Sequence, residues 1–371
     1  MGFFEFLKKF IFVIFLLIKL LILWFIHFLF SYLLAPFFIY PFPWSELNFL
    51  WFFSWILTIS FFYALIIILK VALTTLYERK VLGRTQLREG PQLVGFFGLL
   101  QPFADAFKLL FKEVITPALA NKTLHLGAPV IVFLISILGW AVIPLEHKAV
   151  LFDANLGIIY LLAISSLNVY GILISGWASN SRYSFLGSLR AAAQMISYEV
   201  ALGVIILQVM VATRTFNLST IVLWQERLTW FILPLFPAFI LFFISALAET
   251  NRSPFDFPEA ESELVSGFNT EYSSITFALF FLGEYANIIL LSNLMVILFL
   301  GGWNAPFGLT FLPPEFWYFL KYFFVLTPFM VIRSTLPRYR YDQLMRLGWK
   351  VYVPVSILML IFAVIIHFII F

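Results

Sequence analysis

Residues 273–301 read SSITFALFFLGEYANIILLSNLMVILFLG, with Glu284 as the only charged side chain. A helix needs roughly 20 mostly apolar residues to cross about 30 Å of hydrocarbon, and this stretch exceeds that. Within lipid every backbone polar group must be satisfied internally, so only helices and closed barrels span it. Barrel strands alternate apolar and polar residues in units of about ten, and no such alternation occurs here. The stretch is predicted to be a transmembrane helix carrying one carboxyl group inside the bilayer.

Working outward, comparable segments fall at approximately 9–34, 49–77, 128–145, 156–178, 190–212, 230–249, 316–334 and 351–371. The composition agrees: 63% hydrophobic and 11% charged residues, with a mean hydropathy of +1.00. Soluble domains are about half apolar and a quarter charged. The expectation is an all-α, polytopic membrane protein of about nine transmembrane helices, forming a single transmembrane domain over 1–371. The first segment is too long for a signal peptide. It runs into the Pro and aromatic turn APFFIYPFPW rather than a small-residue cleavage site.

Nine spans sort the connecting segments alternately to two sides. Lys148, Arg214 and Arg227 fall on one side, while Lys19, Lys70 and Lys321 fall within spans. All the rest of the 23 lysines and arginines fall with the N-terminus and with 78–127, 179–189, 250–272 and 335–350, counting Arg190 and Arg333 at the adjoining helix ends. Positive charge marks the cytoplasmic or matrix side, and a miscounted span would scramble this sorting. Within 78–127, PFADAFKLLFKEV sets Phe103, Phe107, Leu110 and Phe111 on one helical face and Asp105, Lys108 and Lys112 nearer another. That pattern predicts an amphipathic helix lying in the membrane interface.

Several chemistries are excluded. The chain has no cysteine, so it holds no disulfide, cysteine-ligated iron–sulfur cluster or CxxC redox pair. It has no GxGxxG after a strand and no GxxxxGK[ST], so nucleotide binding is not encoded, and no nucleic-acid partner is expected. His27, His125, His147 and His367 are scattered without metal-ligand spacing and read as core or interfacial histidines. Phenylalanine is abundant, at 48 residues, which suggests a T-rich organelle genome.

Ionisable side chains in spans are functional candidates by default: Glu199 in the fifth, Glu284 in the seventh, Glu249 and Glu78 closing the sixth and second. Burial disfavours a charged carboxylate, so such groups can exchange protons near neutrality. Their blander reading is helix–helix hydrogen bonding. The stretch ETNRSPFDFPEAESELVSGFNTE gathers Glu249, Asp256, Glu259, Glu261, Glu263 and Glu271 among only 19 acidic residues. Closely spaced carboxylates raise one another's pKa and titrate as a group. Taken alone, a solvated acidic loop accounts for it as well. The basic stretches ERKVLGRTQLREGP and RSTLPRYRYDQLMRLGWK are interrupted by Gly and Pro. They suit either shaped docking surfaces or ordinary positive flanks touching anionic lipid.

Five motifs converge. ERKVLGRTQLREGPQLVGFFGLLQPFADAFKLLFKE, SGWASNSRYSFLGSLRAAAQMISYEV, LAETNRSPFDFPEAESELVSGFNTEY, GEYANI and RYRYDQLMRLGWK occur in that order. From about residue 49 to the C-terminus the chain resembles subunit 1 of the proton-pumping respiratory NADH:ubiquinone oxidoreductases. The resemblance implies eight family-like spans over 49–371 and an extra N-terminal span within 1–48. It also implies a place at the heel of the membrane arm in a mitochondrial inner membrane, among lipids. Peripheral quinone-reducing subunits are expected on the basic face and proton-pumping subunits alongside. Ubiquinone is the implied substrate, with flavin and iron–sulfur clusters in partner subunits and no redox centre in this chain.

Carried over by position, Glu78, Arg79, Arg84, Arg88, Asp105, Lys108, Phe281 and Arg333 belong to the quinone chamber. Glu199, Glu249, Asp256, Glu259, Glu261, Glu263, Glu271 and Glu284 belong to a proton path leading from it. Two departures from the family's pattern are Ala260, where Gly is common, and Gln92, where Asn is usual. The rival readings are a membrane subunit of a related hydrogenase and a secondary ion transporter. A transporter is expected to show internal repeats, and none is evident.

Overall fold

A computed structural model describes residues 49–146, 150–227, 229–256, 266–306 and 312–370, with side chains from Ile59 to Ile365 within them. The expected first span at 9–34, and with it His27, His147, His367 and Ala260, therefore fall outside what is described of chain or side chain. The described chain forms eleven α-helices: α1 Phe49–Thr85, α2 Gln101–Phe111, α3 Lys122–Leu138, α4 Gly157–Ala178, α5 Arg182–Thr213, α6 Leu218–Arg227, α7 Phe236–Glu249, α8 Ser274–Phe299, α9 Pro314–Thr335, α10 Tyr341–Leu347 and α11 Val353–Ile370. Seven helical stretches are long and apolar enough to cross a membrane, and α7 is a shorter apolar helix. Each of the eight spans expected from residue 49 onward falls on one of these helices.

Three boundaries and one additional helix depart from expectation, each for a local reason. Helix α1 continues through Glu78, Arg79 and Lys80 to Thr85, because charge ends a membrane span but not a helix. It stops just before Leu87, which adopts φ 56°. Helix α5 begins at Arg182 rather than 190, where the Ser181 hydroxyl caps it by accepting from Ser184 N–H at 3.3 Å. Helix α7 starts only at Phe236 with Pro237 in its first turn, a position where the missing N–H costs nothing. Helix α6 was not expected; its buried Leu218, Ile221, Val222 and Gln225 recur at helical spacing.

The chain packs around α5 and α8. Helix α5 touches α4, α7 and α11, and α8 touches α3, α9 and α1. Close approach depends on small residues, as is usual between membrane helices. A Cβ on Gly176 of α4 would lie 2.0 Å from the Ser188 hydroxyl of α5, so no larger residue fits there. The last five residues of α8, Met295 to Phe299, are completely enclosed.

Beyond the end of α8, Lys321 of α9 reaches back and donates to the carbonyls of Leu300 at 2.6 Å, Gly302 at 2.9 Å and Asn304 at 2.6 Å. Its ammonium also sits 4.1 Å from the centre of the Trp230 ring. A charge inside the membrane is thus satisfied by carbonyls that the helix terminus leaves unpaired.

Candidate functional site

Glu78 lies near the end of α1, with its side chain only 4% exposed. Three groups from other parts of the chain converge on it. Arg252 Nη1 donates to Oε1 at 2.8 Å, Arg333 from the last turn of α9 donates to the same oxygen, and Tyr285 Oη donates to Oε2 at 2.6 Å. The Arg252 guanidinium also covers the Tyr285 ring at 4.5 Å. Burial alone would lower the Arg252 pKa, but the neighbouring Tyr285, Glu78 and Glu284 outweigh it and raise the value above its ordinary one. The bonded groups are one carboxylate and two guanidiniums, and the Glu284 charge acts on Arg252 from nearby. Phe281, one turn before Tyr285, places its ring 4.7 Å away.

Arg252 belongs to the acidic stretch, and α5 seats that stretch at both ends. At the front, buried Gln194 donates from Nε2 to the carbonyls of Ala248 at 2.9 Å and Phe255 at 2.8 Å, and to Asn251 Oδ1 at 3.2 Å. At the back, a Cβ on Gly187 would come within 2.7 Å of Gly267 Cα, so the two backbones touch, and Ser184 Oγ donates to Phe268 O at 3.2 Å. Asp256, nearly buried, accepts from Arg338 at 3.2 Å, and Tyr339 N–H donates to Pro254 O at 3.1 Å. Arg338 and Tyr339 therefore tie the C-terminal basic segment to the acidic one.

Deeper in the helices, Glu199 of α5 and Glu249 of α7 line one cavity of about 40 Å³. Its other walls are Ser165 and apolar residues such as Leu161, Leu202 and Leu290. Glu199 Oε1 accepts from Ser165 at 2.9 Å and Ser166 at 2.5 Å, whereas Glu249 Oε2 is buried without a hydrogen-bond partner among the described residues. The walls are mostly apolar, but the volume has room for at least one water, which needs ~15 Å³ or more on the same measure, and Glu199, Glu249 and Ser165 are the polar groups that could bind it.

The structure thus joins Glu78, Arg333 and Phe281 in one cluster, and Glu199 and Glu249 in another. Arg79 pairs separately with Asp105 at 2.6 Å, which Gln101 also contacts at 3.1 Å. Arg84, Arg88 and Lys108 are exposed. Glu284 lies on α8 beside Tyr285, and Glu271 precedes Tyr272 just before that helix. Glu259, Glu261 and Glu263 lie outside the described residues.

Sequence reasoning did not single out Arg252, Tyr285, Ser165, Ser166 or Gln194. Arg252 and Tyr285 stood inside quoted motifs, ETNR and GEYANI, but nothing in the sequence says that they meet Glu78. Paired serines in an apolar span (AISSL) were the available signal for a membrane carboxylate.

Comparison with known proteins shows the family. The NADH dehydrogenase family profile matches residues 59–364. A membrane subunit of the NADH-quinone oxidoreductase of Rickettsia prowazekii is 60% identical over 295 residues, covering 78% of this chain and 87% of the relative. NADH-ubiquinone oxidoreductase chain 1 of Chondrus crispus is 56% identical over 294 residues, covering 78% and 90%. The corresponding NADH-quinone oxidoreductase subunit of Paramagnetospirillum magneticum is 56% identical over 297 residues, covering 80% and 87%. The chain belongs to the NADH dehydrogenase family, that of the multi-pass membrane subunit known as chain 1 in NADH-ubiquinone oxidoreductases and of its counterpart in bacterial NADH-quinone oxidoreductases.

Proposed function

We propose that this chain forms one wall of a quinone chamber at its basic face and passes the charge change of quinone reduction to carboxylates inside the membrane. The carrying observation is the convergence of Arg252, Arg333 and Tyr285 on Glu78. Its two guanidiniums suit a site where a quinone headgroup gains negative charge, since preorganised cations aimed at developing charge are the usual device. Phe281 and Tyr285 supply aromatic surface beside it. Electrons come from flavin and iron–sulfur centres in partner subunits, because this chain has no cysteine to hold a cluster.

The link inward is short. Arg252 lies three residues after Glu249, and the backbone between them is one hydrogen-bonded turn: Thr250 N to Ala246 O, Asn251 N to Ala248 O and Arg252 N to Leu247 O. A shift of Arg252 as quinone is reduced therefore moves the turn carrying Glu249, whose free carboxyl oxygen faces Glu199 across a cavity that can hold water. Glu249, Glu199, Glu271, Asp256 and Glu284, with Glu259, Glu261 and Glu263 of the same acidic stretch, make up the proposed proton path. Peripheral subunits meet the basic face and pumping subunits lie alongside. With 48 phenylalanines, we place the chain in a mitochondrial inner membrane.

A quinone with an azide on its tail, photolysed in membranes holding the assembled complex, tests the chamber. Labelled peptides from 78–88 or 277–285 are expected; label confined to other subunits contradicts the reading.

A further inference from the structure

His125 lies in the first turn of α3, where it reads from sequence as an ordinary core histidine. It is 1% exposed, and its ring stacks on that of Tyr272, with 4.1 Å between centroids and 11° between planes. Tyr272 is held from its other sides: its hydroxyl donates to Ser175 O at 3.2 Å, and its ring meets Phe280 edge-on at 4.9 Å. The imidazole is therefore fixed in place, yet its buried Nδ1 has no hydrogen-bond partner among the described residues. Buried polar atoms are nearly always paired, which makes this nitrogen an exception.

The residue next to the stack is Glu271, the last carboxylate of the acidic stretch, and its charge acts on the imidazole. Other ionisable groups are few. On its own helix there is Lys122, and Lys112 and Glu113 belong to the segment that runs beside Ser273 and Ser274. Helix α4 carries no charged side chain, only the phenols of Tyr160 and Tyr170. The only charged residue of α8 is Glu284, roughly 15 Å along the helix from Ser274 at 1.5 Å per residue, with Tyr285 after it.

We propose that His125 is a proton-holding residue paired with Glu271. When the acidic stretch shifts, the Glu271 carboxyl reaches Nδ1, the proton passes from carboxyl to imidazole, and a carboxylate–imidazolium pair results with no change in total charge. Tyr272 serves both states, because an aromatic face also favours a cation against it. The proposal rests on the reading of the acidic stretch as a proton path.

The test compares His125→Phe, His125→Gln and Glu271→Gln in the assembled complex, in sealed membrane vesicles. Protons translocated per electron are measured over roughly pH 6–8, where an imidazole changes charge. Phe keeps the stack on Tyr272, and Gln keeps a polar group that does not titrate. Both are expected to sustain quinone reduction while translocation near neutrality falls about twofold and its pH dependence flattens. The double variant His125→Phe with Glu271→Gln is expected to be no worse than Glu271→Gln alone.

Wild-type profiles for both His125 variants, with Glu271→Gln impaired, overturn the role of His125 alone. Wild-type behaviour of all three overturns the proton-path reading for this end of the stretch as well. Failure of both His125 variants to assemble, while Glu271→Gln assembles, makes His125 structural and also overturns the proposal.

Discussion

Arg252 Nη1 stands 2.8 Å from Glu78 Oε1, across 174 positions of sequence, and the Glu78 side chain is almost wholly buried. Removing one partner of a buried ion pair strands the other, at a cost of about 3–5 kcal/mol. Arg333 remains to Glu78 in an Arg252→Met variant, so the complex is expected to assemble with the cluster's charge reduced. NADH oxidation by an artificial acceptor that bypasses quinone should then be unchanged, while quinone reduction falls about tenfold or more. Equal loss of both activities would point instead to a general folding defect.

Gln194 is the front anchor of the acidic stretch. Gln194→Leu leaves the Phe255 carbonyl without its donor and takes one of two donors from Ala248 O, which keeps Asn251 N–H, at about 1–3 kcal/mol for a buried group left unpaired. Amide hydrogen exchange over 249–256 is expected to accelerate by about tenfold, which 1.4 kcal/mol suffices to produce. Exchange in α3 should not change.

Gly187 is the back anchor. A Cβ there meets Gly267 Cα at 2.7 Å, and overpacking of this kind costs about 1–3 kcal/mol. Gly187→Ala is expected to loosen 266–272, read as faster exchange or new protease sensitivity. Gly203→Ala on the same helix is the control: a Cβ there meets nothing within 4 Å, and protection should hold or rise.

Lys321 separates stability from activity. Lys321→Met strips three carbonyls of their donor, and a hydrogen bond to a charged group contributes about 1.5–3 kcal/mol. The yield and thermal stability of the assembled complex should fall. Turnover per assembled complex should stay near wild type, because Lys321 touches neither the Glu78 cluster nor the Glu199–Glu249 cavity.

Most of the fold was legible because lipid imposes one rule, that apolar length and closed hydrogen bonding make a helix. The sorting of lysines and arginines yields an expected sidedness. Boundaries were less legible where a helix outruns the hydrocarbon, as at Glu78–Thr85 and Arg182–Arg190, because hydropathy reports the solvent and not the backbone. Helix α6 went unread because ten residues with a mixed surface resemble a loop until neighbours bury one face. At the site, the carboxylates were visible as charges in apolar surroundings. Their partners were not, since Tyr285, Gln194 and Ser165 acquire a role only from packing between distant segments. Motif position grouped Arg79, Arg84, Arg88 and Arg333, and it could not say which arginines meet Glu78: among the described residues these are Arg333 and Arg252.

The central claim is that reduction at the basic face is coupled to carboxylates within the membrane through the turn that carries both Glu249 and Arg252. Glu249→Gln tests it most directly, by removing a proton-exchanging group while nearly preserving its shape and leaving Arg252 on Glu78. Protons translocated per electron are measured in sealed vesicles containing the assembled variant complex, beside the rate of quinone reduction. The coupling account predicts a clear fall in that ratio, whether or not reduction slows with it. A wild-type ratio together with a wild-type rate would contradict it.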